Sequence, residues 1–214
     1  MCRLQSIQIG RVIQEGDPDS RDVTKRCWTT AFYKQPVAGP VQVTSMGLEG
    51  DSVADRRNHG GVEKAVLCYS AKHYTGWNER HLELQMSAGA MAENFTLSGL
   101  DETNVCIGDQ FEIGECCFEV SQPRQPCWKI VRRWGIKTLL KEVTQTGWIG
   151  WYLRVIREGV ITAGEAVQRT HRPQPDWPIA RANDILFGRE VDRAAVMELM
   201  SLPQLSDQWK EAIA

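Results

Sequence analysis

The sequence lacks several features that define large classes of proteins. It has no excess of positive charge, because 25 lysines and arginines stand against 27 aspartates and glutamates. Proteins that bind nucleic acid through phosphate usually carry a basic excess, so we do not expect nucleic acid as a partner. No uninterrupted apolar run is long enough to span a bilayer, and residues 1–6 lack the apolar core of a secretory signal. We therefore expect a cytoplasmic protein that does not bind membranes.

The cysteines also lack the spacings of common cofactor sites. The chain has seven cysteines, an odd number, and none of them form the CxxC pair of a zinc site or the spacing of a ferredoxin-type cluster. The glycines likewise lack the spacing of Walker or Rossmann phosphate loops. We expect free thiols in a reducing compartment and no iron–sulfur cluster in this chain.

Residues 1–170 show short alternating segments separated by glycine and proline, which is typical of a barrel-like or sandwich β domain. Segments of this kind lie at Val41–Thr44, Phe111–Ile113 and Cys117–Val120. Apolar residues at helical spacing predict two inserted helices, one near Ala71–His81 and one near Ile136–Thr144.

The composition changes at residues 171–176, where two prolines and no apolar residue predict a linker. Residues 177–214 then show apolar residues at helical spacing in three short stretches, which predicts a three-helix extension. These helices have two arrangements open to them, a small bundle of their own or packing against the β domain.

Cys127 is the strongest candidate for a functional residue. Two prolines in the preceding segment, residues 122–126, stiffen the chain and prevent it from continuing as a central strand. Arg124 and Lys129 bring positive charge close to the sulfur, which favours the thiolate that attacks electrophiles and binds metals. The alternative is a buried, inert thiol, which is the commonest state of a cysteine.

A second candidate segment follows the Gly47–Asp51 stretch and combines glycines with basic residues. Gly60 and Gly61 allow backbone N–H groups to approach a ligand, and Arg56, Arg57 and Lys64 are suited to hold a phosphate or another oxyanion. The alternative is a solvated loop with internal salt bridges.

His59 lies within this second segment, and its chemistry leaves three roles open. It is suited to donate a proton, to bind a metal or simply to form a hydrogen bond within a loop.

A third segment contains Asn94 and Thr96, whose side chains are suited to hydrogen-bond a planar heterocycle, with Phe95 between them. The alternative is an ordinary polar turn that enters a strand.

Taken together and in this order, these segments resemble the MOSC family, named after the C-terminal domain of molybdenum cofactor sulfurases. The similarity is greatest to the stand-alone bacterial members of YiiM type, and the three predicted C-terminal helices resemble the extension of those proteins. The matching segments are Gly47–Asp51, His59–Gly61, Lys64–Val66, Glu93–Thr96, Gly108–Asp109 and Ser121–Lys129.

The resemblance implies a predominantly β (α+β) fold, with a barrel-like MOSC domain and short inserted helices. It also implies a molybdenum cofactor of molybdopterin type, with Cys127 as the protein ligand of molybdenum. The implied reaction is the reduction of N-hydroxylated compounds, such as hydroxylamino-purines, to amines, which confers resistance to toxic base analogues. Electrons would come from a separate donor protein or a small donor.

On this basis we assign provisional roles to the candidate residues. Arg56 or Arg57, together with Lys64, Arg124 or Lys129, would neutralise the cofactor phosphate.

Gly60 and Gly61 would present backbone donors, and Asn94, Phe95 and Thr96 would contact the pterin. His59 or Asp51 would supply the proton.

Two other functions remain open from the sequence. One is a sulfur carrier or transferase with a persulfide on Cys127, and the other is a non-enzymatic carrier of the cofactor. The helical extension is the natural place for self-association, for example in a homodimer.

Overall fold

The structure is a computed structural model that describes residues 2–22 and 24–214. Its strands are β1 (Arg3–Ile9), β2 (Ile13–Glu15), β3 (Trp28–Thr30), β4 (Gln35–Pro36), β5 (Val41–Thr44), β6 (Gly47–Leu48), β7 (Val66–Ser70), β8 (Phe95–Ser98), β9 (Gln110–Ile113), β10 (Cys116–Pro123), β11 (Trp151–Arg157), β12 (Gly159–Ile161) and β13 (Gln168–His171). Its helices are α1 (Arg56–His59), α2 (Lys72–Arg80), α3 (Lys129–Trp134), α4 (Leu139–Thr146), α5 (Ile179–Leu186), α6 (Arg193–Ser201) and α7 (Asp207–Ile213), and a 3₁₀ turn spans Val62–Lys64. Across these described ranges, every helix is too short or too polar to cross a membrane.

Eight strands form one large curled sheet in the order β13-β9-β10-β11-β7-β8-β1-β4. Its neighbouring strands run antiparallel, with the exception of the parallel pair β7 and β8. A smaller sheet, β12-β5-β6, and the ribbon β2-β3 accompany it. This is the predominantly β fold with inserted helices that the sequence predicts.

The alternating segments of the sequence place their apolar residues on the inner face of the large sheet, as period-two patterns require. In β9 and β10 the residues Phe111, Ile113, Phe118 and Val120 are buried, and the residues between them are more accessible. The ring of Phe118 packs edge-on against Phe95 from β8, with ring centroids 5.6 Å apart. The sheet therefore encloses one main apolar core.

The three C-terminal helices pack against the β domain. Trp177, Ile179, Leu199 and Trp209 are buried in the same apolar cluster as the inner face of the large sheet. Of the two arrangements that the sequence leaves open, the structure has the one in which short amphipathic helices cover an existing surface.

The segment predicted as a linker is held firmly against the β domain. Arg172 donates to both carboxylate oxygens of Asp109 at 2.8 and 2.5 Å and to the carbonyl of Asn104 at 2.7 Å. Asp109 is fully buried, so its carboxylate needs a cationic partner. The segment connects the β domain to the C-terminal helices, as its proline-rich composition predicts. Through these hydrogen bonds Arg172 also packs against the β domain.

The two predicted helices are present as α2 and α4, each shifted by one to three residues at its ends. The glycine after α4, Gly147, has φ 71° and ends the helix in the left-handed conformation. Two further helices, α1 and α3, were not predicted. They contain four and six residues, too few to show a helical period in the sequence.

Candidate functional site

Two adjoining cavities lie beside Cys127. The first, which we call the basic cavity, has a volume of about 120 Å³, and its wall includes Lys34, Asp51, Asn94 and Arg124. The second, which we call the aromatic cavity, has a volume of about 480 Å³, and its wall includes tryptophans and side-chain amides. Six residues line both cavities, namely Asp55, His59, Lys64, Cys127, Lys129 and Tyr152. Cys127 therefore lies where two compartments of different chemistry meet.

The end of strand β10 positions this cysteine. Pro123 is the last strand residue and pairs with Trp151 of β11, and the backbone N–H of Arg124 donates to the carbonyl of Gly150 at 3.1 Å. Pro126 then prevents further strand pairing, and α3 begins at Lys129. Cys127 is a free, half-buried thiol in this short bend, rather than a thiol enclosed by aliphatic side chains.

His59 is the side chain that faces the thiol. Its Nε2 atom lies 3.7 Å from the Sγ atom of Cys127. Burial, followed by the positive charges of Arg124, Lys129 and Lys64, lowers the pKa of His59 to about 4 against the opposing effect of Asp55. The imidazole is therefore neutral near pH 7 and can accept a hydrogen bond from the Cys127 thiol. A bound negative charge would have to raise this pKa before His59 could donate a proton at neutral pH.

Two buried basic side chains in this region bond to carbonyl groups. Lys64 is 8% exposed, and its Nζ atom donates to the carbonyl of Asn58 at 2.6 Å. Arg124 is also 8% exposed, and its Nη1 atom donates to the carbonyl of Met91 at 2.7 Å. A carbonyl accepts a hydrogen bond but does not balance a charge, so both cations keep a net positive field in the cavity. Burial lowers the pKa of Lys64, as expected for an ammonium group without a full counter-charge.

Asp51 accepts hydrogen bonds from donors in several parts of the chain. Its carboxylate accepts from Lys34 Nζ at 2.5 Å on both oxygens, from the backbone N–H of Gly10 at 2.7 Å and from Asn94 Nδ2 at 2.8 Å. These contacts fix the position of Lys34 against the carboxylate. The role of Asp51 as a proton source stays a prediction.

The side-chain amide of Asn94 is likewise hydrogen-bonded to other groups of the protein. Its Oδ1 atom accepts from the backbone N–H of Leu67 at 3.1 Å, and its Nδ2 atom donates to Gln8 and Asp51. Because one amide has two donor hydrogens and one acceptor oxygen, little hydrogen-bonding capacity is left for a ligand. Asn94 lines the cavity, and its function there is to hold the wall together.

A buried carboxylate, Glu93, organises the loop before β8. It accepts hydrogen bonds from the hydroxyl groups of Tyr74 and Thr96 and from the backbone N–H groups of Gly89 and Met91, at distances from 2.5 to 3.1 Å. The next residue back, Ala92, lines the basic cavity with φ 64°, an uncommon angle for a residue other than glycine. Glu93 thus fixes the loop whose Met91 carbonyl holds Arg124.

A family model for the MOSC domain matches residues 55–168, and a model described as a YiiM-like 3-alpha helix domain matches residues 177–214. The chain belongs to the MOSC family. The first match covers more than half of the chain and contains Cys127 together with His59, Lys64, Arg124 and Lys129.

Individual relatives agree with this assignment. The crystal structure of YiiM from Geobacillus stearothermophilus superimposes with a TM-score of 0.82 at 33% identity and covers 100% of both chains. The uncharacterized protein YflK of Bacillus subtilis is 37% identical over 91% of this chain and 88% of its own length. A protein of Gibberella moniliformis named reductase is 36% identical over 82% of this chain, which spans only 32% of that longer protein.

Within this MOSC fold, seven of the predicted site residues line the basic cavity. They are Asp51, His59, Lys64, Asn94, Arg124, Cys127 and Lys129. Two of the seven, Asp51 and Asn94, form most of their hydrogen bonds within the protein, and their roles toward a ligand stay predictions.

Two residues that we expected to contact a ligand belong to the protein interior. Phe95 is fully buried in the main core and packs against Phe118. Thr96 is also buried, and its hydroxyl donates to Glu93 at 2.7 Å. Period two accounts for Phe95, because a strand that places Asn94 on the cavity wall directs the next residue to the opposite face. It does not account for Thr96, whose hydroxyl is bonded to Glu93.

The two arginines of α1 lie outside the two cavity walls. Arg56 and Arg57 are exposed on α1 and are not among the residues that line the two cavities, so their contact with a ligand charge stays a prediction. Gly60 and Gly61 connect α1 to the 3₁₀ turn that carries Lys64 and likewise lie outside the two walls. A turn of helix sends its basic side chains outward and leaves His59 facing inward.

Sequence reasoning missed other residues of the site. Lys34 stands just before the two-residue strand β4, and no pattern in the sequence marks it. Trp28 and Gln208 come from distant parts of the chain. Trp128 could have been recognised from the sequence, because it directly follows Cys127 and tryptophan is often found at contact surfaces.

Proposed function

We propose that this protein is a molybdenum-cofactor-dependent reductase that converts N-hydroxylated compounds, such as hydroxylamino-purines, to amines. The observation that carries the proposal is the position of Cys127, a half-buried thiol on the wall of two cavities, beside Lys64, Arg124 and Lys129. Membership of the MOSC family and a relative named reductase support the same reaction class.

The residues present fit a pterin-based molybdenum cofactor. Such a cofactor carries a phosphate, and two buried cations whose hydrogen bonds among the described residues go to carbonyls provide charge to match it. A thiolate is a ligand that soft metal centres prefer. When bound, the cofactor would supply the electron transfer and the metal that takes up the substrate oxygen.

The chain itself would contribute binding, orientation and proton transfer. Cys127 would bind the metal as a thiolate, and Lys34, Lys64, Arg124 and Lys129 would hold the negative charge. Once that charge is present, the pKa of His59 would rise from about 4, so that the imidazole can carry a proton at neutral pH.

The overall reaction then balances. Two electrons from a separate donor protein or small reductant and two protons, one of them passed through His59, convert the N–OH group to N–H and water. This balance requires a donor outside the chain, in keeping with a single MOSC domain and its helices.

Cys127→Ser tests the proposal. We would express the wild type, Cys127→Ser and the control Cys117→Ser, whose half-buried thiol lies on β10 outside both cavities. The hosts would be strains with and without cofactor synthesis. Molybdenum per chain and reduction of hydroxylaminopurine with an artificial electron donor are the measurements.

We expect metal and activity in the wild type and Cys117→Ser only, and only in the competent host. A wild type without molybdenum in that host would refute the reductase proposal. A gain of one sulfur atom on Cys127 without metal would instead indicate a sulfur carrier, and tight cofactor binding without turnover would indicate a cofactor carrier.

A further inference from the structure

The aromatic cavity has two tryptophans in its wall that are held in place by a cation. The ring centroids of Trp28 and Trp128 are 5.5 Å apart with an interplanar angle of 53°. The guanidinium of Arg132 lies 5.3 Å from the centroid of Trp28 and 5.9 Å from that of Trp128. Cation–π contacts of this kind orient exposed rings, so a preformed aromatic surface stands beside Cys127.

Side-chain amides complete the wall of this cavity. They come from Asn58, Gln122, Gln125 and Gln208. An amide offers a donor and an acceptor on one planar group, which matches the edge of a nitrogen heterocycle. Asn58 and Gln122 are already bonded to Asp55 and Ser206, so Gln125 and Gln208 are the amides suited to a ligand.

One of these amides belongs to the C-terminal helices. Gln208 lies on α7, and Ser206 is the N-cap residue of this helix. The hydroxyl of Ser206 donates to the side-chain oxygen of Gln122 at 2.5 Å, and its backbone N–H donates to the carbonyl of Ser121 at 3.1 Å. Gln122 and Ser121 belong to β10, the strand that leads to Cys127. The helix is therefore anchored on the strand that positions the thiol, and Gln208 is held at a defined place on the cavity wall.

The two cavities differ in what they can hold. The basic cavity is small and rich in cations, so it suits an anionic group that stays bound. The aromatic cavity is within the usual size range of small-molecule sites, and Trp128 at its wall is 51% exposed. The aromatic cavity is the larger of the two, so it is the compartment with room for a planar ring that must enter and leave in every turnover.

We propose that the aromatic cavity is the subsite for the planar ring of the N-hydroxylated substrate. The ring stacks on Trp128 and Trp28 and reaches Gln208, with the N-hydroxyl group directed toward Cys127. The C-terminal helices thereby complete the substrate site. This inference rests on the proposed function for the reacting group, but the binding of the ring is independent of turnover.

The test measures ring binding and cofactor content in the same full-length preparations, without an electron donor. Hydroxylaminopurine and adenine are the probes, and isothermal titration calorimetry gives their affinities. The variants are Trp128→Ala, Trp128→Phe and Gln208→Ala. The control is Glu211→Ala, an exposed position on α7 outside the cavity.

We expect Trp128→Ala to weaken both probes by at least about fivefold, as for other bases stacked on aromatic rings. Trp128→Phe should retain most of the affinity, Gln208→Ala should lose about threefold or more, and Glu211→Ala should equal the wild type. The molybdenum content should be the same in all of them. In steady-state assays Trp128→Ala and Gln208→Ala should raise KM with little change in kcat.

Unchanged affinity in Trp128→Ala, or absence of probe binding in the wild type, would overturn the subsite. Unchanged affinity in Gln208→Ala alone would overturn the part played by the helices. Loss of molybdenum in Trp128→Ala would assign the ring surface to the pterin and also overturn the inference. Ring binding with the expected pattern but without reduction would refute the proposed function and leave the subsite intact.

Discussion

Two polar cavities of this protein differ in how their charges are balanced. One is the basic cavity. The other, which we call the paired cavity, has a volume of about 160 Å³ and is lined by residues of α2, α5 and the loop around Trp148, among others. In the paired cavity each of three basic side chains has a carboxylate partner, in the pairs Lys72–Asp101, His73–Glu102 and Arg189–Asp184. In the basic cavity, Lys34 has Asp51, whereas Lys64 and Arg124 bond to carbonyls.

The difference separates a structural role from a binding role. A buried charge with a partner and full hydrogen bonds holds elements together, and losing one member is costly. A buried charge without a counter-ion is an unfavourable arrangement that an incoming anion can relieve. Substitution of the buried pair in the paired cavity, His73–Glu102, should therefore affect mainly stability, and substitutions in the basic cavity should affect mainly ligand binding.

The largest expected effect lies in the paired cavity at Glu102. Its carboxylate lies 2.6 Å from His73 Nε2 and accepts from the backbone N–H groups of Ile149 and Gly150 at 3.0 and 2.8 Å. Glu102→Ala leaves these buried donors without partners and should lower the free energy of unfolding by about 3 kcal/mol, measured by urea denaturation.

The matched control is Asp184→Asn, whose ion pair with Arg189 is largely exposed and should cost less than about 1 kcal/mol. Equal stability of Glu102→Ala and the wild type would remove the contrast between the two cavities.

A second, smaller effect should appear when a cation is removed from the basic cavity. Lys64→Met removes a buried ammonium group whose hydrogen bond goes to a carbonyl rather than to a carboxylate, so the thermal midpoint without ligand should stay the same or rise. The affinity for inorganic phosphate at low ionic strength should fall by about tenfold, which corresponds to one charged hydrogen bond.

Lys72→Met in the paired cavity is the matched control and should leave phosphate binding unchanged. If both variants bind phosphate as the wild type does, the basic cavity is not an anion site.

The smallest effect concerns the protonation of His59. Its pKa of about 4 in the folded protein lies below the ordinary value of 6.5. Between these two values the unfolded chain binds a proton that the folded protein does not, so stability decreases as the pH falls from 6.5 to 4. His59→Asn should make the free energy of unfolding fall less between pH 6.5 and 4. In a separate NMR titration of the wild type, saturating phosphate should raise the pKa of His59.

His171→Asn serves as the control, because His171 is exposed on β13. A His59 resonance that titrates near pH 6.5 without ligand would show that burial and the surrounding cations do not act on the imidazole as described.

Much of the fold could be predicted from the sequence because the patterns involved are local. Alternation in β9 and β10 identifies the strands, and the apolar spacing of Leu139 and Val143 identifies α4. The three C-terminal helices follow from the same spacing, and the matched YiiM-like helix domain and the similar crystal structure confirm them. Helices as short as α1 and α3 have no period to detect.

The candidate site was predictable only in part. Residues close to Cys127 in sequence, such as Arg124 and Lys129, were identified because the prolines and charges lie in one segment. Lys34 was not identified, because its importance comes from Asp51, which is distant in sequence. Thr96 was assigned to the ligand because its partner within the protein, the buried carboxylate of Glu93, cannot be identified from the sequence.

By itself, the sequence determined the β-rich architecture, the helical extension and a stiff segment that ends in one cysteine. These depend on side-chain period, proline and glycine, whose effects extend over only a few residues. Only the tertiary structure decided which charges are neutralised and which remain free, because a carboxylate and a cation compensate each other only across a distance of a few ångströms. The same reason applies to Gln208, which reaches the cavity only because α7 is bonded to the strand that leads to Cys127.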